Sequence, residues 1–197
     1  MSRSDEPGFW EERYRAGRMP WDAGGVPVAL QRFLAADLTR GRVLIPGCGS
    51  GYEVAAFVAA GWIVDAIDFS PAAVARARQS LGPHGACVRE GDFFAEPGPA
   101  RCDLIYERTF LCSLPPERWP EYAARMAALL RPGGRLVGLF YYGVEPEPPP
   151  YPLTDGSARA QLGEAFERVE SRPVPAAQSL PLYAGAERWE IWRRRPA

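Results

Sequence analysis

An α/β fold, with a mostly parallel seven-stranded sheet, helices on both faces and one antiparallel strand, follows from three features of the sequence. Short apolar runs alternate with stretches of helical spacing, and a glycine-rich loop follows the first of those runs. The last strand alternates apolar and charged residues after a proline-rich insert, the pattern of an edge or one-sided strand.

The elements follow in order. RVLIP (42–46) is a short buried strand entering GCGSG, and YEVAAFVAAG behind it has helical spacing closed by Gly61. WIVDAID (62–68) is a second strand, and FSPAAVARARQSL (69–81) is a helix with Ser70 as N-cap and Pro71 in its first turn. GACVRE (85–90) and CDLIYE (102–107) are the third and fourth strands, separated by the turn-rich AEPGPAR. PERWPEYAARMAALL (116–130) is helical, with Trp119, Tyr122, Met126, Leu129 and Leu130 as its apolar stripe, and RPGG stops it. RLVGLFYY (135–142) is a fifth strand, apolar enough to be central. VEPEPPPYPL (144–153) is an exposed extended loop, because proline removes donors and fixes φ. SARAQLGEAF (157–166) is a last helix, and ERVESRPV (167–174) and ERWEIWRRR (187–195) are the sixth and seventh strands. No internal repeat interrupts this reading of one domain over 1–197, with an N-terminal aromatic segment at 1–24 and a proline-rich loop at 143–155.

With 23 basic and 24 acidic residues the net charge is -1, so no strong attraction to nucleic acid or anionic membrane is expected, and a small-molecule ligand fits better. No run reaches the ~18 apolar residues of a spanning helix, and the N-terminus lacks the apolar core of a secretory signal, which predicts a cytoplasmic protein; no surplus apolar helix demands burial, which predicts a monomer. Cys48, Cys87, Cys102 and Cys112 have no CxxC spacing and read as reduced, mostly buried thiols, with no metal site. Lysine is absent, which removes Schiff-base chemistry and the GK[ST] of a phosphate-binding loop. His84 is the only histidine and sits in LGPHGA, an exposed turn, so a Ser/His/Asp triad or zinc centre has no base to draw on.

Glycines 47, 49 and 51 let a backbone approach a ligand closely, and Asp68 at the end of the second strand is placed to accept both hydroxyls of a ribose. A dinucleotide loop reads GxGxxG; here Tyr52 fills the third glycine's place, and GxGxG suits a nucleoside without pyrophosphate, as in S-adenosylmethionine enzymes. An NAD-dependent oxidoreductase and a non-catalytic nucleoside-binding protein are the alternatives. Asp92 and Phe93 follow the third strand, suited to the amino group and face of adenine, with a turn acid beside a core aromatic as the plainer reading. Glu107 and Arg108 end the fourth strand above the sheet, either at the reacting methyl or as a structural ion pair.

These residues resemble the thiopurine S-methyltransferase-like branch of class I S-adenosylmethionine-dependent methyltransferases, and within it the halide and thiol methyltransferases. The resemblance covers nearly the whole chain and rests on FWEERYRAGRMPWDAG, VLIPGCGSGYEV, DAIDFS, GDFF, DLIYERTFLCSLPPERWPEY, LLRPGG and PPPY. It implies the Rossmann-like class I fold, S-adenosylmethionine as cofactor, and cofactor contacts at Trp10, Tyr14, Trp21, Gly47, Gly49, Asp68, Asp92, Phe93 and Arg108. Glu107 and Arg108 would face cofactor and substrate. Tyr14 stands where many halide and thiol relatives carry a second Trp. YERTFLCSL shares its Arg with the DRGAL of thiopurine enzymes and its FLC with the DYVFFCA of halide enzymes, which leaves thiol, halide, thiopurine and oxyanion acceptors open. An [ND]PP[YF] motif directly after the fourth strand, used by amino methyltransferases acting on nucleobases or glutamine, is missing.

Methyl transfer from a sulfonium is an in-line displacement that extinguishes a positive charge, so it needs no acid, and a soft anionic acceptor needs no base. The expected pocket combines Trp10, Tyr14 and Trp21 with Phe110 and Leu111, and with Tyr142 or Tyr151; Arg108, Tyr14 and Phe110 are the candidates nearest the chemistry. If FWEERYRAG is a helix, Trp10 and Tyr14 share a face, and Gly17 and Pro20 turn the chain to present Trp21. The segment is then a lid over the cofactor loop, expected to be mobile without ligand.

Overall fold

The computed structural model describes residues 4–36, 40–95 and 101–196. Its strands are β1 (Arg42–Pro46), β2 (Ile63–Asp68), β3 (Val88–Glu90), β4 (Cys102–Arg108), β5 (Leu130–Tyr141), β6 (Phe166–Pro173) and β7 (Glu187–Arg194). They form one seven-stranded sheet in the order β3-β2-β1-β4-β5-β7-β6. Strands β1 to β5 pair in parallel, and β7 runs antiparallel to both β5 and β6, as the sequence predicts. The helices are α1 (Pro7–Arg15), α2 (Val28–Ala36), α3 (Tyr52–Ala59), α4 (Pro71–Leu81), α5 (Trp119–Leu129) and α6 (Asp155–Leu162).

Helices cover both faces because α2 to α6 each contribute an apolar stripe to one of two cores. On one face Leu30 of α2, Val54 and Phe57 of α3, and Val74 and Ala77 of α4 pack on Val43, Val64 and Tyr106. On the other, Tyr122 and Met126 of α5 and Ala158 and Leu162 of α6 pack on Leu44, Ile105 and Leu136. Ser70 caps α4 as expected, its hydroxyl accepting from Ala73 N, with Pro71 in the first turn.

Several boundaries differ from expectation. The third strand begins at Val88 because Gly82–Cys87 winds into a 3-10 turn in which a Cβ on Gly85 would lie 3.0 Å from the Arg78 backbone. RPGG stops α5 but joins β5, whose register on β4 shifts between Cys102 and Leu104 to absorb it. The last helix starts earlier, at Asp155, because Thr154 and Ser157 form a reciprocal capping box, and it stops at Leu162, leaving Phe166 to β6. Helix α2 had no counterpart in the expected elements. Of the turn-rich stretch before β4, residues 96–100 lie outside the described residues. Cys48, Cys102 and Cys112 are buried free thiols and Cys87 is half-buried. No helix among the described residues is long and apolar enough to cross a membrane.

Candidate active site

Strand order reverses between β1's two neighbours, β2 and β4, and a crevice opens at the carboxyl ends of the strands there. It holds a cavity of about 600 Å³. Trp10, Tyr14, Trp21, Gly47, Gly49, Asp68, Asp92, Phe93, Arg108 and Phe110 all line it, so the structure gathers every expected cofactor residue and every candidate near the chemistry.

The floor is the loop after β1. Gly47 and Gly49 have φ of +58° and +51°, where a side chain would be strained, and neither has room for one. A Cβ on Gly47 would lie 2.7 Å from Phe110 Cδ2, and one on Gly49 would lie 2.7 Å from the Tyr14 hydroxyl. Asp68 braces this loop: Oδ2 accepts from Gly49 N at 3.0 Å and Oδ1 from Ser70 N at 3.0 Å. Burial pushes its carboxyl up to about 6, although the backbone donors of Ser70 and Gly49 pull the other way.

The roof is the N-terminal segment. Trp10 and Tyr14 of α1 both meet Trp21 edge-on, with ring centroids 5.0 and 5.8 Å apart. Trp21 Nε1 donates to the Tyr14 hydroxyl at 3.4 Å, and burial raises the Tyr14 phenol, helped by the Asp68 charge. Two carboxylates dock the roof on the floor. Glu11 Oε2 accepts from the Ser70 hydroxyl at 2.6 Å and from Ala72 N at 3.0 Å, at the amino end of α4, and Asp22 Oδ2 accepts from the Ser50 hydroxyl at 2.5 Å.

Beyond β3, Asp92 is exposed and holds an Asx turn by accepting from Phe94 N at 2.8 Å, while Phe93 is buried. Phe93 meets Phe94 and Phe110 edge-on at 5.2 and 5.3 Å, and Phe94 and Phe110 lie 6.1 Å apart with nearly parallel planes.

At β4 the expectations need correction. Tyr106 and Arg108 share one face of the strand, and Glu107 points to the other, where it is 1% exposed and does not line the cavity. Its Oε1 accepts from Phe110 N and Leu111 N at 2.9 and 3.0 Å, and its Oε2 from the Tyr122 hydroxyl at 2.8 Å. Burial pushes this carboxyl up to about 7 against those three donors. Nor does it pair with Arg108, whose Nη1 donates to Glu53 Oε1 at 2.8 Å in α3. Among the described residues, the buried Tyr106 hydroxyl and Arg108 Nε have no hydrogen-bond partner.

Leu111, Tyr142 and Tyr151 also stand away from the cavity: Leu111 is core, Tyr142 donates to Glu190 Oε1 at 3.0 Å, and Tyr151 packs against the second core. Their places are taken by Cys112, Ser113, Leu114, Pro148–Pro150 and Tyr183. Cys112 Sγ lies 3.3 Å from the Tyr183 hydroxyl, and burial pushes the thiol up to about 12, so it stays protonated. Glu53 and these far-loop residues were not anticipated; only Glu53 carried a signal, as an acid in the first turn behind the glycine loop.

Residues 5–195 match the model of the thiopurine S-methyltransferase family. The chain belongs to that family. It is similar to a probable thiol methyltransferase 2 of Arabidopsis thaliana, 36% identical over 146 residues, a match spanning 72% of this chain and 65% of that one. Thiocyanate methyltransferase 1 of the same plant is 29% identical over 204 residues, spanning 98% and 88%. A solved structure of the Burkholderia thailandensis 1,6-didemethyltoxoflavin-N1-methyltransferase with bound S-adenosylhomocysteine superposes with a TM-score of 0.74 at 25% identity, covering 96% of this chain and 87% of that one. This member of the family is therefore an S-adenosylmethionine-dependent methyltransferase of the class I, Rossmann-like fold. The dinucleotide alternative falls with that membership.

Proposed function

We propose that this protein methylates a small soft nucleophile, thiols foremost, from S-adenosylmethionine, as a cytoplasmic monomer. The cofactor fits the residues present. Two positive-φ glycines bring bare backbone to the cavity, Asp68 stands beside them, and the unpartnered Tyr106 hydroxyl and Arg108 Nε lie next to the cavity. Gly47 and Gly49 would hold its aminoacyl end near Arg108 and Glu53, Asp68 its ribose, and Asp92 and Phe93 its base. Trp10, Tyr14 and Trp21 would close over it. When bound, it supplies an electrophilic methyl group on a sulfonium sulfur.

The acceptor half lies along the sheet, past β4 toward β5 and β7, because Phe110, Cys112, Leu114, Pro148–Pro150 and Tyr183 line that side. The observation that carries the reading is that, among the described residues, no buried carboxylate or imidazole lines that side. His84 is exposed on its turn outside the cavity, Cys112 stays protonated, Asp68, Glu53, Asp22 and Asp92 are each engaged by a donor, and the remaining lining carboxylates, Asp5 and Glu147, are exposed to water. The acceptor must then arrive already nucleophilic, as a thiolate or a halide does. Aromatic and proline walls exclude water, which would otherwise solvate the anion and compete with it. Aromatic faces near a sulfonium attract its charge by about 0.5 to 2 kcal/mol.

The test is transfer of isotope-labelled methyl to bisulfide, aromatic thiols, thiopurines, iodide and tellurite. Labelled methanethiol from bisulfide, or labelled methyl thioether from an aromatic thiol, is expected. No transfer to any of the five would remove the reading.

A further inference from the structure

Thr109 has φ of +60°, a left-handed backbone that a β-branched residue adopts only when its surroundings force it. The forcing group is next door. Glu107 Oε1 gathers the N–H groups of Phe110 and Leu111, which turns the chain sharply after β4, and Oε2 is fixed by the Tyr122 hydroxyl from α5. The turn is then closed from outside: Ser113 donates through N and hydroxyl to Phe110 O, and Cys112 O accepts from Tyr151 N at 2.7 Å. Its product is the placement of Phe110, whose ring lies against Gly47, Phe93 and Phe94 in the wall of the cavity that Cys112 and Tyr183 also line.

We infer that Glu107 is a positioning residue for methyl transfer: its carboxylate holds Thr109 in the strained turn and so seats Phe110 as the wall between cofactor and acceptor. The inference rests on the proposed reading of the cavity for what the wall separates, but the clamp itself is a matter of backbone geometry. It touches no reacting atom. Any buried carboxylate needs donors, but one buried only to fill the core would not need them on two consecutive backbone N–H groups with a strained residue between them and its own strand.

The two roles part at position 109. Glycine takes φ > 0 without strain, so Thr109→Gly removes the need for the clamp. In the full-length protein, Glu107→Ala is expected to raise the acceptor KM about tenfold or more while the S-adenosylhomocysteine Kd moves less than about threefold. Glu107→Ala/Thr109→Gly is expected to bring that KM back to within about threefold of the unaltered protein. Glu107→Gln, whose amide oxygen accepts both N–H groups and whose NH2 donates to Tyr122, keeps the KM in that same range. A double variant as impaired as Glu107→Ala, or a Glu107→Ala variant with unchanged KM, overturns the inference.

Thermal midpoints give the answer without activity. Thr109→Gly should raise the midpoint more in the unaltered protein, where the clamp enforces the strain that glycine relieves, than in the Glu107→Ala background, where that strain is already released, and equal shifts overturn the clamp. If Glu107→Ala gives no folded protein, recovery of folding in the double variant supports the clamp and its failure to recover overturns it. No methyl transfer by the unaltered protein, with unequal midpoint shifts, would instead leave the clamp standing and count against the proposed reaction.

Discussion

Helix α1 has no fully buried residue, so little apolar area holds the roof down, and its closure depends on a few polar contacts. Glu11 makes the most telling of these. One oxygen accepts from the Ser70 hydroxyl and Ala72 N at the amino end of α4, and the side chain is 18% exposed. Burial raises its carboxyl, but Ser70, Ala72 and Arg15 outweigh that and hold it below the usual range. Hydrogen bonds to a charged acceptor are worth about 1.5 to 3 kcal/mol each, but water takes over both donors once the roof lifts, leaving about 1 to 2 kcal/mol for the pair. The Arg15 pair adds little, since Arg15 is 73% exposed. Glu11→Ala should therefore shift the closed-to-open ratio about 5- to 30-fold toward open. Hydrogen exchange of the amides in residues 7–15 reads this directly, since opening is local and fast compared with global unfolding. The expected result is faster exchange by that factor, with the amides of β4 unchanged. Equal exchange in variant and unaltered protein would show that the latch does not hold the roof.

Three further outcomes follow from the same geometry. Trp21→Ala should weaken S-adenosylhomocysteine in calorimetry, and, because Trp21 and Glu11 act on one closing step, its effect should be non-additive with Glu11→Ala; unchanged affinity removes Trp21 from the site. Gly49→Ala carries about 1 to 2 kcal/mol of left-handed strain and displaces the Tyr14 hydroxyl, so at least about a fivefold loss of affinity is expected in the same titration. Asp68 has its carboxyl raised to about 6 from 3.8, so as pH falls through that window the native state gains the extra proton and this group's contribution to stability rises. Acceptance of ribose hydroxyls needs the ionised form, so S-adenosylhomocysteine affinity should fall below pH about 6 while this contribution grows; a flat affinity from pH 7 to 5 would separate Asp68 from the ribose.

The parallel core of the fold was legible because β1, β2, β4 and the second half of β5 are short, mainly apolar runs separated by helical stretches, and β7 because apolar and charged residues alternate in its sequence. Helix α2 was equally written in the chain, with Pro27 ahead of it and Ala29, Leu30, Phe33 and Leu34 on its core side. The glycine loop and Asp68 were legible because their chemistry is local, one strand and one turn each. Glu107 was misplaced although the rule that corrects it is elementary: successive residues of a strand point to opposite faces, so Glu107 and Arg108 cannot both face the cavity. What no local pattern contains is the acceptor wall. Pro148–Pro150 and Tyr183 reach the cavity only because β7 inserts between β5 and β6, a pairing decided by the whole sheet.

Roof and floor are joined by one closed path of contacts. Glu11 holds Ser70, Ser70 N donates to Asp68, Asp68 takes Gly49 N, Gly49 admits the Tyr14 hydroxyl, and Tyr14 returns to Trp21 and Trp10 in the roof. A ligand whose hydroxyls bind Asp68 therefore acts on the residue that braces both the floor and the cap of α4. Closure and cofactor affinity then share one free energy: whatever loosens the roof lowers apparent affinity by the fraction of molecules left open. The same coupling explains why the roof needs aromatic rings in place of a second layer of polar contacts. Rings exclude water from a site where the acceptor anion must stay poorly solvated, and they can separate and re-form without leaving buried donors unsatisfied.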